Sequence, residues 1–221
     1  MTRRQQLVIF DCDGVLVDSE PIANRVFAEM VGELGLAMTS EDVFERFGGR
    51  SMSYCVATVT DMLGRPVPAE FLGDYRSRLG AALEKELRPM PGIAAALDAI
   101  GVPYCVASSG DHQKMRTTLG ITKLLPRFDG RLFSVTEVAR GKPFPDVFLL
   151  AAERCGVEPA ACAVVEDSPV GVAAGRAAGM RVLGYAAATP RRRLLAAGAH
   201  AVFDDMRELP ALIGGDPAAG S

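Results

Sequence analysis

The segment Leu7-Val8-Ile9-Phe10-Asp11-Cys12-Asp13-Gly14 decides how this chain begins to fold. Its first four residues form a continuous apolar run, which is typical of a strand in a parallel sheet covered on both faces. Two aspartates follow at the end of that strand, where open α/β sheets bind their ligands. Residues two apart in an extended segment point the same way, so both carboxylates can face one site. Gly14 permits a sharp turn of the backbone behind them.

Strand and helix patterns alternate along most of the chain. Four more short apolar runs predict buried strands at residues 104–107, 163–165, 182–185 and 201–203. Apolar residues spaced three to four apart predict helices at 93–100, 113–119 and 147–155. This alternation predicts a doubly wound α/β fold with a mostly parallel sheet.

One segment breaks the alternation. Residues 19–87 contain no strand-like run and show four helical patterns, at 22–34, 40–47, 52–63 and 69–87. We therefore predict an α-helical domain of residues 19–87, inserted after the first strand. Residues 1–18 and 88–221 are expected to form the α/β core.

A second acidic pair, Glu166-Asp167, follows the apolar run at 163–165. The carboxyl ends of parallel strands meet at one edge of the sheet, so we expect Asp11, Asp13 and Asp167 to lie close together. Clustered carboxylates repel each other and require a cation or a shared proton. An all-oxygen cluster suits Mg²⁺, which does not need histidine or cysteine ligands. The sequence therefore predicts a magnesium site.

Two further segments are suited to binding an anion. Ser108-Ser109-Gly110 ends a predicted strand before a helix, so its hydroxyl and N–H groups can contact phosphate oxygens. Lys142 lies in a segment stiffened by Pro143 and Pro145, where its ammonium can balance the carboxylates and a phosphate. Either segment alone is typical of an ordinary loop. Their position between the two acidic strand ends is what indicates a phosphate site.

Composition narrows the possible functions. The chain has 221 residues and a net charge of −3, and the lack of a basic excess argues against nucleic-acid binding. No segment approaches the roughly 18 consecutive apolar residues that span a membrane. Five cysteines form no Cys-x-x-Cys pair, which indicates neither a zinc site nor a disulfide framework. We expect a cytoplasmic monomer that binds neither nucleic acid nor membrane.

Four motifs together resemble a known family. They are FDCDGVLVDSE at 10–20, VASSG at 106–110, GKPFPD at 141–146 and VVEDS at 164–168. In this order they are similar to the four motifs of the haloacid dehalogenase (HAD) superfamily. The chain most resembles the subgroup of β-phosphoglucomutase and sugar-phosphate phosphatases, in which a helical cap follows the first motif. Residues 19–87 occupy the place of that cap.

The resemblance implies a role for each motif residue. Asp11 matches the nucleophile that forms an aspartyl-phosphate, and Asp13 matches the general acid that then acts as base. Ser108, with Ser109 beside it, matches the phosphate-binding position. Lys142 matches the cation that orients the nucleophile and the phosphate.

The resemblance also implies a magnesium cofactor. Its ligands would be Asp11, the backbone carbonyl of Asp13, and Asp167. Glu166 matches an acidic position that binds the metal directly or through a water molecule.

The implied function is hydrolysis of a phosphomonoester in a small metabolite, such as a sugar phosphate or sugar-acid phosphate. Arg50, in the predicted cap, is a candidate substrate contact. The second aspartate, Asp13, is absent from haloacid dehalogenases and argues against carbon–halogen cleavage.

Three alternatives stay open: a β-phosphoglucomutase-like mutase, a phosphoglycolate phosphatase, and a catalytically silent binding or regulatory relative. The mutase carries a cap histidine shortly after the first motif, and the corresponding stretch 20–24 here has none, which favours hydrolysis. Intact motif residues argue against a silent relative.

Overall fold

The computed structural model describes residues 5–48, 50 and 52–214. The chain divides into two compact units. The α/β unit consists of the described residues within Met1–Val17 and Arg88–Ser221, and the helical unit is Asp18–Leu87.

The α/β unit is built on one six-stranded sheet in which every pairing is parallel. Its strands lie in the order β3-β2-β1-β4-β5-β6. They are β1 (Leu7–Phe10), β2 (Tyr104–Ser108), β3 (Leu132–Ser134), β4 (Cys162–Glu166), β5 (Arg181–Tyr185) and β6 (Ala201–Phe203). The prediction of a doubly wound parallel sheet is confirmed.

The helical unit contains α1 (Glu20–Glu33), α2 (Ser40–Phe47), α3 (Met52–Leu63) and α4 (Phe71–Glu86). Its core is centred on Phe27, whose ring centroid lies 5.4 Å from that of Phe47 and 5.6 Å from that of Tyr75. These edge-to-face contacts each add roughly 0.5–1.5 kcal/mol to the burial of the rings. The apolar spacing in the sequence predicted all four helices.

The remaining helices cover the sheet on both faces. They are α5 (Ile93–Ala99), α6 (His112–Ile121), α7 (Asp146–Arg154), α8 (Pro169–Ala177), α9 (Arg191–Ala196) and α10 (Leu209–Gly214). Leu7 and Ile9 of β1 pack in one core cluster with Phe148 of α7 and Val172 of α8. Phe10 points to the opposite face, where its ring meets that of Phe128 at 6.4 Å. Both faces of β1 are buried, which explains its continuous apolar sequence.

The sequence patterns did not predict strand β3 or helix α10. Strand β3 has only three residues, Leu132-Phe133-Ser134, and lies at the edge of the sheet beside β2. Only two consecutive residues of this strand are apolar, whereas the equally short β6 is apolar throughout, so β3 gives no recognisable apolar run and its pairing with β2 defines it as a strand.

Candidate active site

Three adjacent strands deliver polar side chains to one edge of the sheet. Asp11 follows β1, Ser108 ends β2 and Glu166 ends β4, with Asp167 next. Because β1 lies between β2 and β4 and all three run parallel, their carboxyl ends meet. Ligand oxygens of Asp11, Glu166 and Asp167 all lie within 4.8 Å of one another.

Lys142 lies at the centre of this edge. Its Nζ donates to Oδ1 of Asp11 at 2.7 Å, to Oε1 of Glu166 at 2.6 Å and to the carbonyl oxygen of Ala107 at 3.1 Å. A lysine ammonium has three donors, so this arrangement uses them all. Only 4% of the side chain is exposed, and Nζ also lies 4.9 Å from the ring centroid of Phe148. Lys142 is therefore fixed in place by β1, β2 and β4 together.

Burial and charge act in opposite directions on Asp11 and Lys142. Burial raises the pKa of Asp11 to about 7, against the lowering effect of Lys142, and Glu166 and Asp13 raise it further. Burial lowers the pKa of Lys142, but attraction to Asp11 and Glu166 outweighs this and the net shift is upward. Lys142 therefore stays charged, while Asp11 holds a proton far more readily than an ordinary aspartate.

Two glycines make room for the acidic side chains. Gly14 has φ +74°, and a Cβ atom there would lie 2.1 Å from Oδ2 of Asp167. A Cβ atom on Gly171 would lie 1.9 Å from the carboxyl carbon of Glu166. Both carboxylates thus pack directly on the backbone. The glycine following Asp13 is needed for the turn and also for the approach of Asp167.

Glu166 is fully buried and both of its carboxylate oxygens have partners. Oε1 accepts from Lys142, and Oε2 accepts from the backbone N–H of Ser168 at 3.2 Å and from its hydroxyl at 3.0 Å. The Ser168 hydroxyl also accepts from the N–H of Gly171 and so caps α8. The N-cap of α8 is therefore Ser168 and not its neighbour Asp167.

The turn after β2 is organised by hydroxyl groups. The Ser108 side chain is buried, and its Oγ accepts from the N–H of Gly110 at 2.9 Å. Ser134, at the end of β3, donates to the carbonyl oxygen of Gly110 at 2.8 Å. Ser109 is exposed at the same turn. A backbone held in this way, directly before α6, is suited to contacting an anion.

Asp13 has a partner that the sequence did not predict. Lys114 of α6 donates from Nζ to Oδ2 of Asp13 at 2.7 Å. The only signal in the sequence is a lysine in the first turn of the helix that follows the predicted phosphate turn. That signal is weak, because lysines are common on exposed helix faces.

Arg50 lies in the helical unit, between two residues outside the described set, Gly49 and Ser51. It is exposed, and its guanidinium carbon lies 5.0 Å from the ring centroid of Tyr54. Its role as a substrate contact stays a prediction.

The oxygen-rich edge of the sheet fits a hard divalent cation. The cluster supplies only carboxylate oxygens, the ligands that Mg²⁺ prefers. Asp167 reaches this position only because Gly14 has no side chain. The sequence predicted a cluster of Asp11, Asp13 and Asp167. Among the described residues, the carboxylates that lie together are those of Asp11, Glu166 and Asp167, and the carboxylate of Asp13 contacts Lys114.

The family model of the haloacid dehalogenase-like hydrolases matches residues 5–179. The chain belongs to this family. The predicted family is thus confirmed, as is the prediction of a hydrolytic enzyme related to phosphatases.

Named relatives of this HAD-like hydrolase include two phosphatases of Escherichia coli (strain K12). The chain is 34% identical to 6-phosphogluconate phosphatase over 95% of its own length and 95% of the relative. It is 31% identical to hexitol phosphatase A, over 84% of its own length and 85% of the relative.

The fold also matches a solved structure closely. A haloacid dehalogenase-like protein of unknown function from Agrobacterium tumefaciens str. C58 is 36% identical and superposes with a TM-score of 0.87. The match covers 95% of this chain and 97% of the other.

Across the part of the chain that the structure describes, every helix is too short or too polar to span a membrane.

Proposed function

We propose that this HAD-like hydrolase is a magnesium-dependent phosphatase that acts on a sugar phosphate or sugar-acid phosphate through an aspartyl-phosphate on Asp11. The observation that carries the proposal is the buried contact between Lys142 and Asp11 at the end of β1. It holds one carboxylate oxygen at the carboxyl edge of the sheet, beside the turn formed by Ser108 and Gly110.

The reaction needs two displacements at phosphorus. In the first, a carboxylate oxygen of Asp11 forms a bond to phosphorus while the bond to the leaving oxygen breaks, and Asp13 gives that oxygen a proton. In the second, water attacks phosphorus, Asp13 takes a proton from it, and the bond to Asp11 breaks. Inorganic phosphate and the free carboxylate result.

The residues of this site offset the repulsion between an anionic nucleophile and an anionic phosphate. Lys142 orients Asp11 rather than gripping phosphate, since its three donors already have acceptors. Ser108, Ser109 and the N–H groups of their turn are the proposed phosphate contacts.

Magnesium would be held by Asp11, Asp167 and the backbone carbonyl of Asp13. Glu166, whose two oxygens are already bound by Lys142 and Ser168, is better suited to a contact through water. When bound, Mg²⁺ supplies charge neutralisation for the phosphate oxygens and for Asp11.

The substrate class comes from the relatives. Two of them are named for phosphorylated sugar derivatives, a 6-phosphogluconate phosphatase and a hexitol phosphatase. We infer that a phosphorylated sugar, polyol or sugar acid is the substrate. The helical unit would act as the cap that closes over it, with Arg50 as the candidate contact to a polar group.

A panel of phosphorylated metabolites tests the proposal. It contains gluconate 6-phosphate, hexitol phosphates, hexose phosphates, phosphoglycolate and p-nitrophenyl phosphate, each assayed with Mg²⁺ and with EDTA. We expect release of inorganic phosphate only with Mg²⁺, fastest for a sugar or sugar-acid phosphate. Asp11→Asn should lower the rate by about 10⁴-fold or more, because the nucleophile is lost.

The products separate the alternatives. Conversion of one hexose phosphate into an isomer without phosphate release would indicate a mutase. Phosphoglycolate as the best substrate would indicate the other phosphatase class. Wild-type protein without Mg²⁺-dependent turnover of any panel member, or Asp11→Asn with wild-type rates, would contradict the proposal.

A further inference from the structure

Lys114 belongs to none of the four motifs, yet it contacts Asp13, the second aspartate of the first motif. Its Nζ lies 2.7 Å from Oδ2 of Asp13, across 101 positions of sequence. Its backbone is fixed as well, because its N–H donates to the carboxylate of Asp111, the N-cap of α6, at 2.7 Å. The first turn of α6 therefore aims this lysine at the end of β1.

The Lys114 side chain crosses the turn that follows β2. A Cβ atom on Gly110 would lie 3.1 Å from Cδ of Lys114 and 3.4 Å from Oγ of Ser108. The methylene chain of the lysine thus packs on the backbone of Gly110, next to the proposed phosphate-binding hydroxyl. A side chain at position 110 would push the lysine away.

The contact contributes little to folding. The side chain of Lys114 is 41% exposed and that of Asp13 is 23% exposed. Ion pairs with this much exposure are weakened by solvent screening and by the entropy lost in holding a long side chain. Folding stability therefore does not explain this contact, and its evident effect is on the position of the Asp13 carboxyl group.

We propose that Lys114 is a positioning residue for Asp13 in the phosphatase reaction put forward above, and the inference rests on that proposed function. By donating to Oδ2, Lys114 fixes the plane of the Asp13 carboxyl group and so the direction of its other oxygen. That oxygen gives its proton to the leaving oxygen as the P–O bond breaks and the bond from phosphorus to Asp11 forms. It later takes a proton from the attacking water.

The leaving group separates this role from others. A sugar alkoxide leaves poorly unless it is protonated, whereas p-nitrophenolate leaves without a proton. Loss of Lys114 should therefore slow the first transfer from a sugar phosphate and leave the first transfer from p-nitrophenyl phosphate nearly unchanged. A residue that binds the phosphate would affect both substrates alike.

Three variants are compared by single-turnover kinetics with Mg²⁺ and enzyme in excess. Lys114→Met keeps the methylene chain without the charge, Lys114→Arg keeps the charge, and Arg116→Met removes a charge from an exposed position of the same helix. The readouts are the single-turnover rates of consumption of the sugar phosphate that the wild type hydrolyses fastest, and of release of p-nitrophenolate from p-nitrophenyl phosphate.

We expect Lys114→Met to slow sugar-phosphate consumption about 10- to 100-fold, part of the usual contribution of acid–base catalysis. The single-turnover release of p-nitrophenolate should slow by less than about threefold, since no proton transfer to the leaving group is required for it. Lys114→Arg should restore most of the sugar-phosphate rate, and Arg116→Met should match the wild type.

Equal slowing of both substrates by Lys114→Met, no slowing of either, or equal slowing by Arg116→Met would each overturn the inference. A wild type that hydrolyses no sugar phosphate contradicts the proposed function and this inference with it. A wild type that is active while Lys114→Met is unaffected contradicts this inference alone.

Discussion

Lys142 in the α/β unit and Arg25 in the helical unit each bind two carboxylates of their own unit. Lys142 lies 2.7 Å from Asp11 and 2.6 Å from Glu166, and the three side chains are 4%, 12% and 0% exposed. Lys142 and Glu166 are thus almost entirely shielded from water, and Asp11 is mostly shielded.

Arg25 has the same arrangement on a helix surface. It lies 3.1 Å from Glu29 and 2.7 Å from Glu86, and the three side chains are 41%, 55% and 49% exposed. Water can replace either partner at little cost. The comparison teaches that burial, rather than the number or length of the contacts, decides whether a pair of this kind is indispensable.

Replacing Lys142 or Arg25 with methionine should give the largest difference in stability and activity between the two regions. Lys142→Met leaves two buried carboxylates without their cation, so we expect a loss of roughly 3–5 kcal/mol in the free energy of unfolding. Phosphatase turnover should fall by about 10³-fold or more, since Asp11 is no longer oriented or balanced. Urea unfolding and the Mg²⁺-dependent assay measure the two effects.

Arg25→Met is the matched control. It should unfold at the same urea concentration as the wild type and keep its activity, because its partners are solvated. Equal behaviour of the two variants would show that burial does not distinguish the two sites.

The pH dependence of stability should sharpen the comparison. The pKa of Asp11 is raised from 3.8 to about 7, mainly by burial. The folded protein therefore binds a proton that the unfolded chain releases, and stability falls as pH rises from about 4 to about 7. In the helical unit the hydrogen bond from Arg78 lowers the pKa of Glu33, so the sign is opposite there.

Unfolding of wild type and Asp11→Asn in EDTA, from pH 4.5 to 8, measures this effect. Relative to Asp11→Asn, the wild type should lose roughly 1–4 kcal/mol as pH rises through this window. Adding Mg²⁺ at pH 7.5 should restore stability to the wild type, since the cation favours the ionised carboxylate. A constant difference between the two proteins across the pH range would contradict the assignment.

Two helical glycines give the smallest expected contrast. Gly171→Ala in α8 would force a methyl group into the Glu166 carboxylate and should destabilise the protein by roughly 1–3 kcal/mol. Gly80→Ala in α4 meets no heavy atom within 4 Å and should stabilise it by roughly 0.5–1 kcal/mol. Thermal unfolding measures both effects. Destabilisation by Gly80→Ala would contradict the open space around Gly80, and an unchanged stability of Gly171→Ala would contradict the close packing of Gly171 on Glu166.

The sequence anticipated the acidic edge because its signal is local. Asp11 and Glu166 each follow or end an apolar run, and a buried strand can be recognised from a few consecutive residues. The four helices of the helical unit were equally clear, since their apolar residues repeat over two or more turns. Strand β3 was missed because only Leu132 and Phe133 of its three residues are apolar, whereas the equally short β6 is apolar throughout.

The local sequence did not determine which lysine pairs with which aspartate. Lys142 lies 131 positions from Asp11, and Lys114 lies 101 positions from Asp13. The sequence suggested Lys142 through its motif but gave no reason to single out Lys114. The two hydrogen bonds from Ser168 to Glu166 were also not predicted, because a serine before a helix predicts only an N-cap.

The sequence by itself determined that parallel strands would end in acids beside a serine turn and a lysine, within a family of hydrolases. Only the tertiary structure decided that Lys142 uses all three donors inside the sheet edge, and that Lys114 contacts Asp13. The physical reason is the order β3-β2-β1-β4, which brings the ends of distant segments together. Burial then fixes one lysine and leaves the other half-exposed beside the site.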